Sequence, residues 1–393
     1  MAGSPRVLIV ADDLTGAMDS AGPFATAGVE TWVVAAPMQC DPSSLRSASV
    51  VSVNTDSRHL PPARAEAKIR ETVRHLGADE FQIIIKKVDS TLRGNVVVET
   101  LALMDATGRR GAVVAPAFPA QGRTVSGGIV YVKGTPLAQT GFARDALSPP
   151  PLAPLHQVFA QARPGIQARS VPAADPFEGD GTQVWVADSA ADADLATLVD
   201  TIRPRLGSLL VAGSAGLTQA LARACFGSAG TAPGASHVKG TIVFAVGSRA
   251  AQSAEQVEAL SAEPDTQVMR MPNGHLLSTV IPAARNLVLK ATADEAGREG
   301  DAEQVAADMA RHSIDAVRRT GAEALVATGG DTAVAILTAS GNPALQVLGD
   351  LMPGIPYARI CLDGSPLWLV TKAGGFGGRE TFRELAHKLR GDA

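Results

Sequence analysis

The chain has 393 residues, 46% of them apolar but only 4% aromatic, and a formal net charge of -4 with acids and bases mixed along its length. That length exceeds one average domain, and a core filled mainly by Ala, Val and Leu suits a helix-and-sheet sandwich better than an aromatic-rich β-sandwich. The charge balance argues against nucleic acid as the main partner, which usually needs a basic patch, but leaves room for small anions.

Cys40, Cys225 and Cys361 are odd in number, far apart and without metal-like spacing, so reduced thiols in the core of a cytoplasmic protein are expected. The seven histidines show no zinc-like pair. The apolar run near the N-terminus is too short for a signal peptide, and no run approaches membrane-spanning length, so no membrane partner is expected.

In chain order, short apolar runs end in polar or glycine-rich turns: "RVLIV" into "ADDLTGA", "TWVVA" into "APMQCDPSS", "SVVSV" into "NTDSRHLPP", "FQIII" into "KKVDSTLRGN", and "GAVVA" into "PAFPAQGRT". Helical periods separate them. In "PPARAEAKIRETVRHL", Ala65, Ile69, Val73 and Leu76 fall on one face behind an entry of prolines. Residues 118–182, rich in Pro, Gly and Ala, break the rhythm and read as long functional loops with short elements. The pattern resumes with "TQVWVAD", a helix over "ADADLATLVDTIR", and "SLLVAGSAGLTQALARA".

A small-residue, glycine-rich stretch at 226–240 reads as a linker. A second alternating unit follows, with turns at "GSRAAQSA", "TGGDTAVAIL" and "TKAGGFGG". The fold class expected is α/β in two domains, 1–230 and 231–393, each with a mostly parallel sheet covered by helices and with the active site in the cleft between them.

The turns of the second half share one physical reading. Glycine admits an anion close to the backbone, and free N–H groups at the next helix start point toward it. Ser248, Thr328 and Thr332 add hydroxyl donors, Lys372 can neutralise a phosphate, and Asp331 can cap a helix or hold Mg²⁺ through water. Neither a G-x-x-x-x-G-K-[ST] motif nor a G-x-G-x-x-G opening with its ribose-binding acid is present, which disfavours a P-loop or an NAD site.

The first-half turns carry different chemistry. They offer Asp12 and Asp13; Asn54, Asp56, Ser57 and Arg58; Lys86, Asp89, Ser90, Arg93 and Asn95; and Gln121, Gly122, Arg123 and Thr124. Carboxylates and amides grip vicinal hydroxyls, and arginine grips a carboxylate through paired N–H bonds, so a small hydroxylated acid fits the set. Each residue also has a bland reading. An Asp before a helix is usually an N-cap, Arg93 alone reads as a helix-end ion pair, and Lys86 and Lys87 alternate at a strand end. The "DDLT" stretch lacks the D-x-D-x-T spacing of the haloacid dehalogenases.

The motifs "VADDLTGAMDSA", "NTDSRHLPPARA", "KKVDSTLRGNV", "APAFPAQGRTVSGGIVYVKGTPLAQTGFARD", "VAGSAGLTQALA", "TGGDTA", "PGIPYARI" and "TKAGGFGG" together resemble the four-carbon acid sugar kinase family over nearly the whole chain. The resemblance implies an N-terminal domain that binds threonate, erythronate or 3-oxo-tetronate and a C-terminal domain that binds ATP. Nucleotide contacts carry over to Ser248, Gly329, Gly330, Asp331, Thr332, Gly374 and Gly375. Sugar-acid contacts carry over to the "DDLTG", "DSR" and "DSTLRG" stretches, that is Asp12, Asp13, Asp56, Ser57, Arg58, Asp89, Ser90 and Arg93. Ala373 stands where the family has a serine, which removes a hydroxyl.

The two readings meet in phosphoryl transfer from ATP, with Mg²⁺, to the terminal (4-) hydroxyl. The acid is pinned by Arg93 or Arg58, and Asp13 is the expected base, with Asp89 second. A dehydrogenase or decarboxylase of the same acids, or a sugar-acid sensor, are the alternatives. A homodimer is expected.

Overall fold

Val7–Ala11 (β1), five apolar residues with no solvent contact, sits inside the first sheet of the protein. The computed structural model describes residues 5–391 except 146–147, 180, 228–237, 279, 295 and 299, so most of the expected linker lies outside the described residues. Two compact units are present, Met1–Gly230 and Thr231–Ala393.

In the first unit β1 is followed by α1 (Leu14–Thr26), β2 (Thr31–Val34), β3 (Val50–Asn54), α2 (Pro62–Leu76), β4 (Ile83–Lys87), α3 (Val96–Ala106) and β5 (Gly111–Ala115). Then come β6 (Arg123–Ser126), β7 (Ile129–Val132), β8 (Thr135–Pro136), α4 (Leu155–Ala162), β9 (Ile166–Pro172), β10 (Thr182–Asp188), α5 (Asp192–Ile202), β11 (Leu209–Gly213) and α6 (Ala215–Phe226). The main sheet runs β2-β3-β1-β4-β11-β5-β10-β9, and every pairing in it is parallel. Strands buried on both faces read as apolar runs, which is why "VLIVA" carries no polar residue and the two in "VVSVN", Ser52 and Asn54, are themselves buried. Helix α2 shows the opposite case. Ala65, Ile69, Val73 and Leu76 form its buried stripe, and Gly77, at φ +67°, ends it in the left-handed conformation.

Because these strands are parallel, the turns after β1, β3, β4 and β5 all leave from one edge of the sheet, the place where open α/β sheets bind ligands. The stretch 118–182 contributes a small antiparallel sheet, β6-β7-β8, as well as α4 and β9.

The second unit holds β12 (Ile242–Val246), α7 (Ala251–Ser261), β13 (Thr266–Pro272), β14 (Asn286–Thr292), α8 (Ala302–Thr320), β15 (Ala324–Thr328) and α9 (Gly330–Ala339). It closes with β16 (Ala344–Met352), β17 (Ile355–Leu362), β18 (Ser365–Lys372) and α10 (Thr381–Arg390). Its sheet order is β13-β14-β12-β15-β18-β17-β16. Pairings are parallel as far as β15/β18 and antiparallel for β18/β17 and β17/β16.

The expectation of α/β architecture with mostly parallel sheets is met, and the antiparallel meander qualifies it. The meander comes from tight turns. Asp363 and Gly364, at φ +51° and +80°, form a two-residue hairpin between β17 and β18 that suits Asp-Gly. Phe244 and Phe382, with ring centroids 5.4 Å apart, join Tyr357, Trp368 and Leu385 in the core of this unit. The expectation that all three cysteines are core residues fails at Cys361. It sits on the outward face of β17 and is exposed, while Cys40 is buried and Cys225 half-buried. Among the described residues no helix is long and apolar enough to cross a membrane.

Candidate functional site

In the first unit the chain leaves β1 through two aspartates with separate tasks. Asp13 is the N-cap of α1: its Oδ1 accepts a hydrogen bond from the Gly16 amide at 2.9 Å. A Cβ on Gly16 would lie 2.6 Å from Asp13 Oδ1 and 3.1 Å from Lys87 Nζ, so a larger residue would have to push the capping carboxylate aside. Asp12 is buried, and both of its oxygens accept from Arg58, Oδ2 from Nε at 2.9 Å and Oδ1 from Nη2 at 2.8 Å. Arg58 Nη1 donates to Asp13 Oδ2 at 2.7 Å. The main chain reinforces the junction, because the Ser57 and Arg58 amides both donate to the Asp12 carbonyl. Burial works to raise the Asp12 carboxyl, but the charges of Arg58, Lys86 and Lys87 outweigh it and hold it below the ordinary value.

"DSTLRGN" folds against this junction. Gly94, at φ +90°, lies where a Cβ would be 2.8 Å from Asp12 Oδ2, so the motif needs glycine for close approach as well as for its backbone angle. Asp89 is tied up locally. Its Oδ2 accepts from Arg93 Nε at 3.0 Å, from the Thr91 amide at 3.2 Å and from the Thr91 hydroxyl, while Oδ1 accepts from Arg93 Nη2 at 3.0 Å. Burial opposes ionisation there, but Arg93 and Arg58 override it and hold the carboxyl far below the usual range. Asn95 Nδ2 donates to the Ser57 and Leu60 carbonyls and fixes the "DSRHL" turn. Ser148 Oγ donates to the Arg58 carbonyl at 3.1 Å and meets His59 Nδ1 at 2.7 Å.

Two of the residues expected near a substrate lie beneath the turns. Lys86 is 1% exposed, and its ammonium meets Glu99 Oε2 at 2.8 Å, the Lys87 carbonyl at 2.8 Å and the Val10 carbonyl at 3.3 Å. All three of its N–H bonds are thereby used. Ser57 Oγ donates to Glu99 Oε1 at 2.6 Å in the same buried network. Asp56 is exposed in a left-handed conformation at φ +49°, and Ser90 is half-buried beside Asp89.

Sequence reasoning passed over Asp19 and read Lys87 only as alternating with Lys86 at a strand end, whereas both lysines are buried. Lys87 is buried with its Nζ 3.5 Å from Asp19 Oδ1 and within the field of Asp13 and Asp12. Burial, with some help from the Asp13 charge, pushes the Asp19 carboxyl up to about 6 despite Lys87. The available signal was that Asp19 is the lone charged residue in the otherwise apolar and small helix "LTGAMDSAGPFAT".

In the second unit the turns after β12, β15 and β18 also leave from one edge, since these three strands are mutually parallel. They are built from backbone. A Cβ on Gly247 would lie 2.0 Å from Thr332 Oγ1, and one on Gly374 would lie 1.9 Å from Ser248 Oγ. Gly329, at φ +104°, is the N-cap of α9, and its amide donates to the Lys372 carbonyl at 3.0 Å. A cavity of about 280 Å³ opens here, lined by Gly247, Ser248, Arg249, Gly329, Asp331 and Thr332, with Ala302, Val305 and Ala306 of α8 on its apolar side. Gly330 opens α9 beside it.

Lys372, expected beside a phosphate, is turned into the fold. It is 1% exposed, and its ammonium donates to the carbonyls of Ala373, Gly374 and Phe376 at 2.8, 3.2 and 3.0 Å. Burial pushes it down to about 7. Gln256 Nε2 and Ser253 Oγ clamp the same glycine loop through the Phe376, Gly378 and Gly374 carbonyls. Gly375 lies within this loop. Among the described residues no group of three His, Cys, Asp or Glu side chains could hold a metal ion. Asp331 is the carboxylate on the cavity wall, and a Mg²⁺ ion carried in by phosphates needs only one or two such ligands. The donor set therefore fits an ion that arrives with the nucleotide.

Residues 7–221 match the family described as "Sugar-binding N-terminal domain", and residues 243–382 match "Nucleotide-binding C-terminal domain". The chain is 34% identical to a D-threonate kinase of Cupriavidus necator over 94% of both proteins. It is 35% identical to a D-threonate kinase of Bordetella bronchiseptica over 99% of this chain and 98% of that one. A 3-oxo-tetronate kinase of Burkholderia multivorans is 28% identical over 100% and 99%. Among solved structures, one from Salmonella typhimurium LT2 superposes with a TM-score of 0.77 at 21% identity, covering 97% of this chain and 98% of that one. Another, from Bordetella bronchiseptica, is a domain-swapped dimer with bound citrate, with a TM-score of 0.50 at 29% identity over 98% and 99%.

Proposed function

The chain belongs to the four-carbon acid sugar kinase family, and on that premise we propose that it transfers the γ-phosphoryl group of ATP to the terminal (4-) hydroxyl of a four-carbon sugar acid, D-threonate first among them. One observation carries the reading. Two sets of turns leave the carboxyl ends of parallel strands, one lined by carboxylates and guanidinium groups and one by glycines and hydroxyls. The first suits a hydroxylated acid and the second suits phosphates. D-threonate comes first because two near-full-length relatives at 34–35% identity are D-threonate kinases, while near-full-length 3-oxo-tetronate kinases stand at 28–32%.

Phosphoryl transfer asks a protein for positioning and for charge stabilisation more than for covalent chemistry. The backbone amides at Gly330–Thr332 and the Gly374–Gly375 loop would hold the phosphates, with the Gly329 turn giving them room and the Ser248 hydroxyl beside them. Asp331 would hold Mg²⁺ through water, and the ion would supply charge neutralisation. Asp13 would take the proton of the attacking hydroxyl. Asp12 and Asp89 each have both oxygens on an arginine, whereas Asp13 remains 22% exposed and gives Arg58 only one oxygen.

The substrate hydroxyl oxygen bonds to the γ-phosphorus as the bond to the β-bridging oxygen breaks. ADP leaves and the hydroxyl proton passes to the carboxylate. The chemistry requires the two sites to meet during turnover, with water excluded so that ATP is not hydrolysed. Use of ATP suits a cytoplasmic enzyme, and a dimer is the assembly we propose, to be tested by light scattering.

Incubation with ATP, Mg²⁺ and a panel of four-carbon acids should release ADP with D-threonate above an acid-free control, with a new phosphomonoester visible by phosphorus NMR. Consumption of no ATP with any four-carbon acid would overturn the reading. A redox change would move it to a dehydrogenase, and binding alone would move it to a sensor.

A further inference from the structure

The structure assigns Arg123 as the residue that anchors the substrate carboxylate, through the Nε–Nη2 edge of its guanidinium. The inference rests on the sugar-acid reading and deepens it.

Arg58, Arg93 and Arg123 belong to the same electrostatic cluster around Asp89. Arg58 gives Nε and Nη2 to Asp12 and Nη1 to Asp13. Arg93 gives its Nε–Nη2 edge to the two oxygens of Asp89. The Nε–Nη2 edge is therefore already occupied on both residues, and Arg58 has all three nitrogens engaged, whereas Arg93 keeps Nη1. Lys86 is saturated in the buried network, and Lys87 faces Asp19.

Arg123 differs. Its Nη1 donates to the main-chain and side-chain oxygens of Gln121. Its Nε is buried with no hydrogen-bond partner among the described residues. A buried guanidinium N–H without an acceptor is costly, and a carboxylate lying along the Nε–Nη2 edge would satisfy it. The side chain starts from a fixed point, because the Arg123 and Phe118 main chains exchange hydrogen bonds of 3.0 and 2.8 Å. Burial lowers the basicity of Arg123, against the pull of Asp89, whereas Arg58 and Arg93 are raised by their carboxylates. It remains a cation at any physiological pH.

The test compares D-threonate with neutral D-threonamide. Calorimetric affinity and steady-state kinetics are measured for the wild type, Arg123→Lys, Arg123→Gln and Arg123→Ala. Loss of a charge-assisted, two-point contact should raise Kd and KM for D-threonate about 100-fold in Arg123→Ala. Affinity for D-threonamide and KM for ATP should stay near wild type, so discrimination between acid and amide collapses. Arg123→Lys should recover only part of it, since a point charge lacks the fork. Arg123→Gln, checked by an unchanged melting temperature, serves if the alanine variant folds poorly. An Arg123→Ala or Arg123→Gln enzyme that still prefers acid over amide as the wild type does overturns the assignment while leaving the kinase reading intact. A wild type that neither binds nor phosphorylates any four-carbon acid overturns both.

Discussion

At the strand ends of the first unit, side chains hold side chains: Arg58 spans Asp12 and Asp13, Arg93 closes on Asp89, and Lys87 faces Asp19. At those of the second unit, a side chain holds backbone: Lys372 gives all three protons to carbonyls of a glycine loop, and Gly247 and Gly374 make room for Thr332 and Ser248. A polar ligand rich in hydroxyls needs fixed charges and amides, and charges in a partly dry site persist only when partnered. A phosphate chain needs close approach and oriented N–H dipoles, which bare backbone supplies. The same position in a parallel sheet thus serves two ligand chemistries through two ways of rigidifying a loop.

The contrast can be broken most severely at Arg58. Arg58→Ala should leave the Asp12 carboxylate buried and unpaired, costing about 3–5 kcal/mol in urea unfolding and abolishing turnover. Near-native stability would mean that the ion-pair lattice is not what holds the first-unit turns together.

A smaller structural effect but a large catalytic one is expected from Asp13→Asn, which keeps an N-cap acceptor. Its kcat should fall roughly 10²–10⁴-fold with little change in KM for ATP, as read by coupled ADP release. Turnover within a few-fold of wild type would remove Asp13 from the role of base.

Gly374→Ala sharpens the second half of the comparison. The added methyl must displace Ser248, a strain of about 1–3 kcal/mol that should appear as a higher KM for ATP with the KM for the sugar acid unchanged. The reverse pattern would exchange the roles of the two units.

The smallest effect is the pH signature of Lys372. Its folded value is about 7 against an ordinary 10.5, so between those values the unfolded chain binds the proton that the folded chain has lost. Stability of the second unit should therefore rise with pH through that window. Melting temperatures of wild type and Lys372→Met across pH 6.5–10 should differ in slope, with the methionine variant flatter. Equal slopes would show that Lys372 does not titrate in this range.

Much of the frame was legible before any coordinates. The apolar runs locate β1, β3, β4, β5, β12 and β15 because strands covered on both faces need them, and the α2 stripe follows from the 3.6-residue period. The meander β16–β17 was missed. Its segments "ALQVLGDLM" and "IPYARICL" are interrupted by Gly349 and Pro356, and the Asp363–Gly364 turn that joins β17 to β18 went unread. In the candidate sites the motifs were found, but the behaviour of their charged members was not. Lys86 and Lys372 both sit at strand ends with every proton used inside the fold, Lys87 is buried as Lys86 is instead of alternating with it, and Asp19 entered the first site unannounced.

The amino-acid order by itself determined the alternation of strands and helices, the turns that carry polar chemistry, and the difference between a charged half and a glycine half. Each of these depends on neighbours a few positions apart, through side-chain period and backbone freedom. Only the tertiary structure decided which charges are spent on one another and which edge of Arg123 is left over. Arg58 meets Asp12 and Asp13 across 46 and 45 positions of sequence, and pairing at that range is set by how strands are ordered in the sheet, which no local pattern encodes.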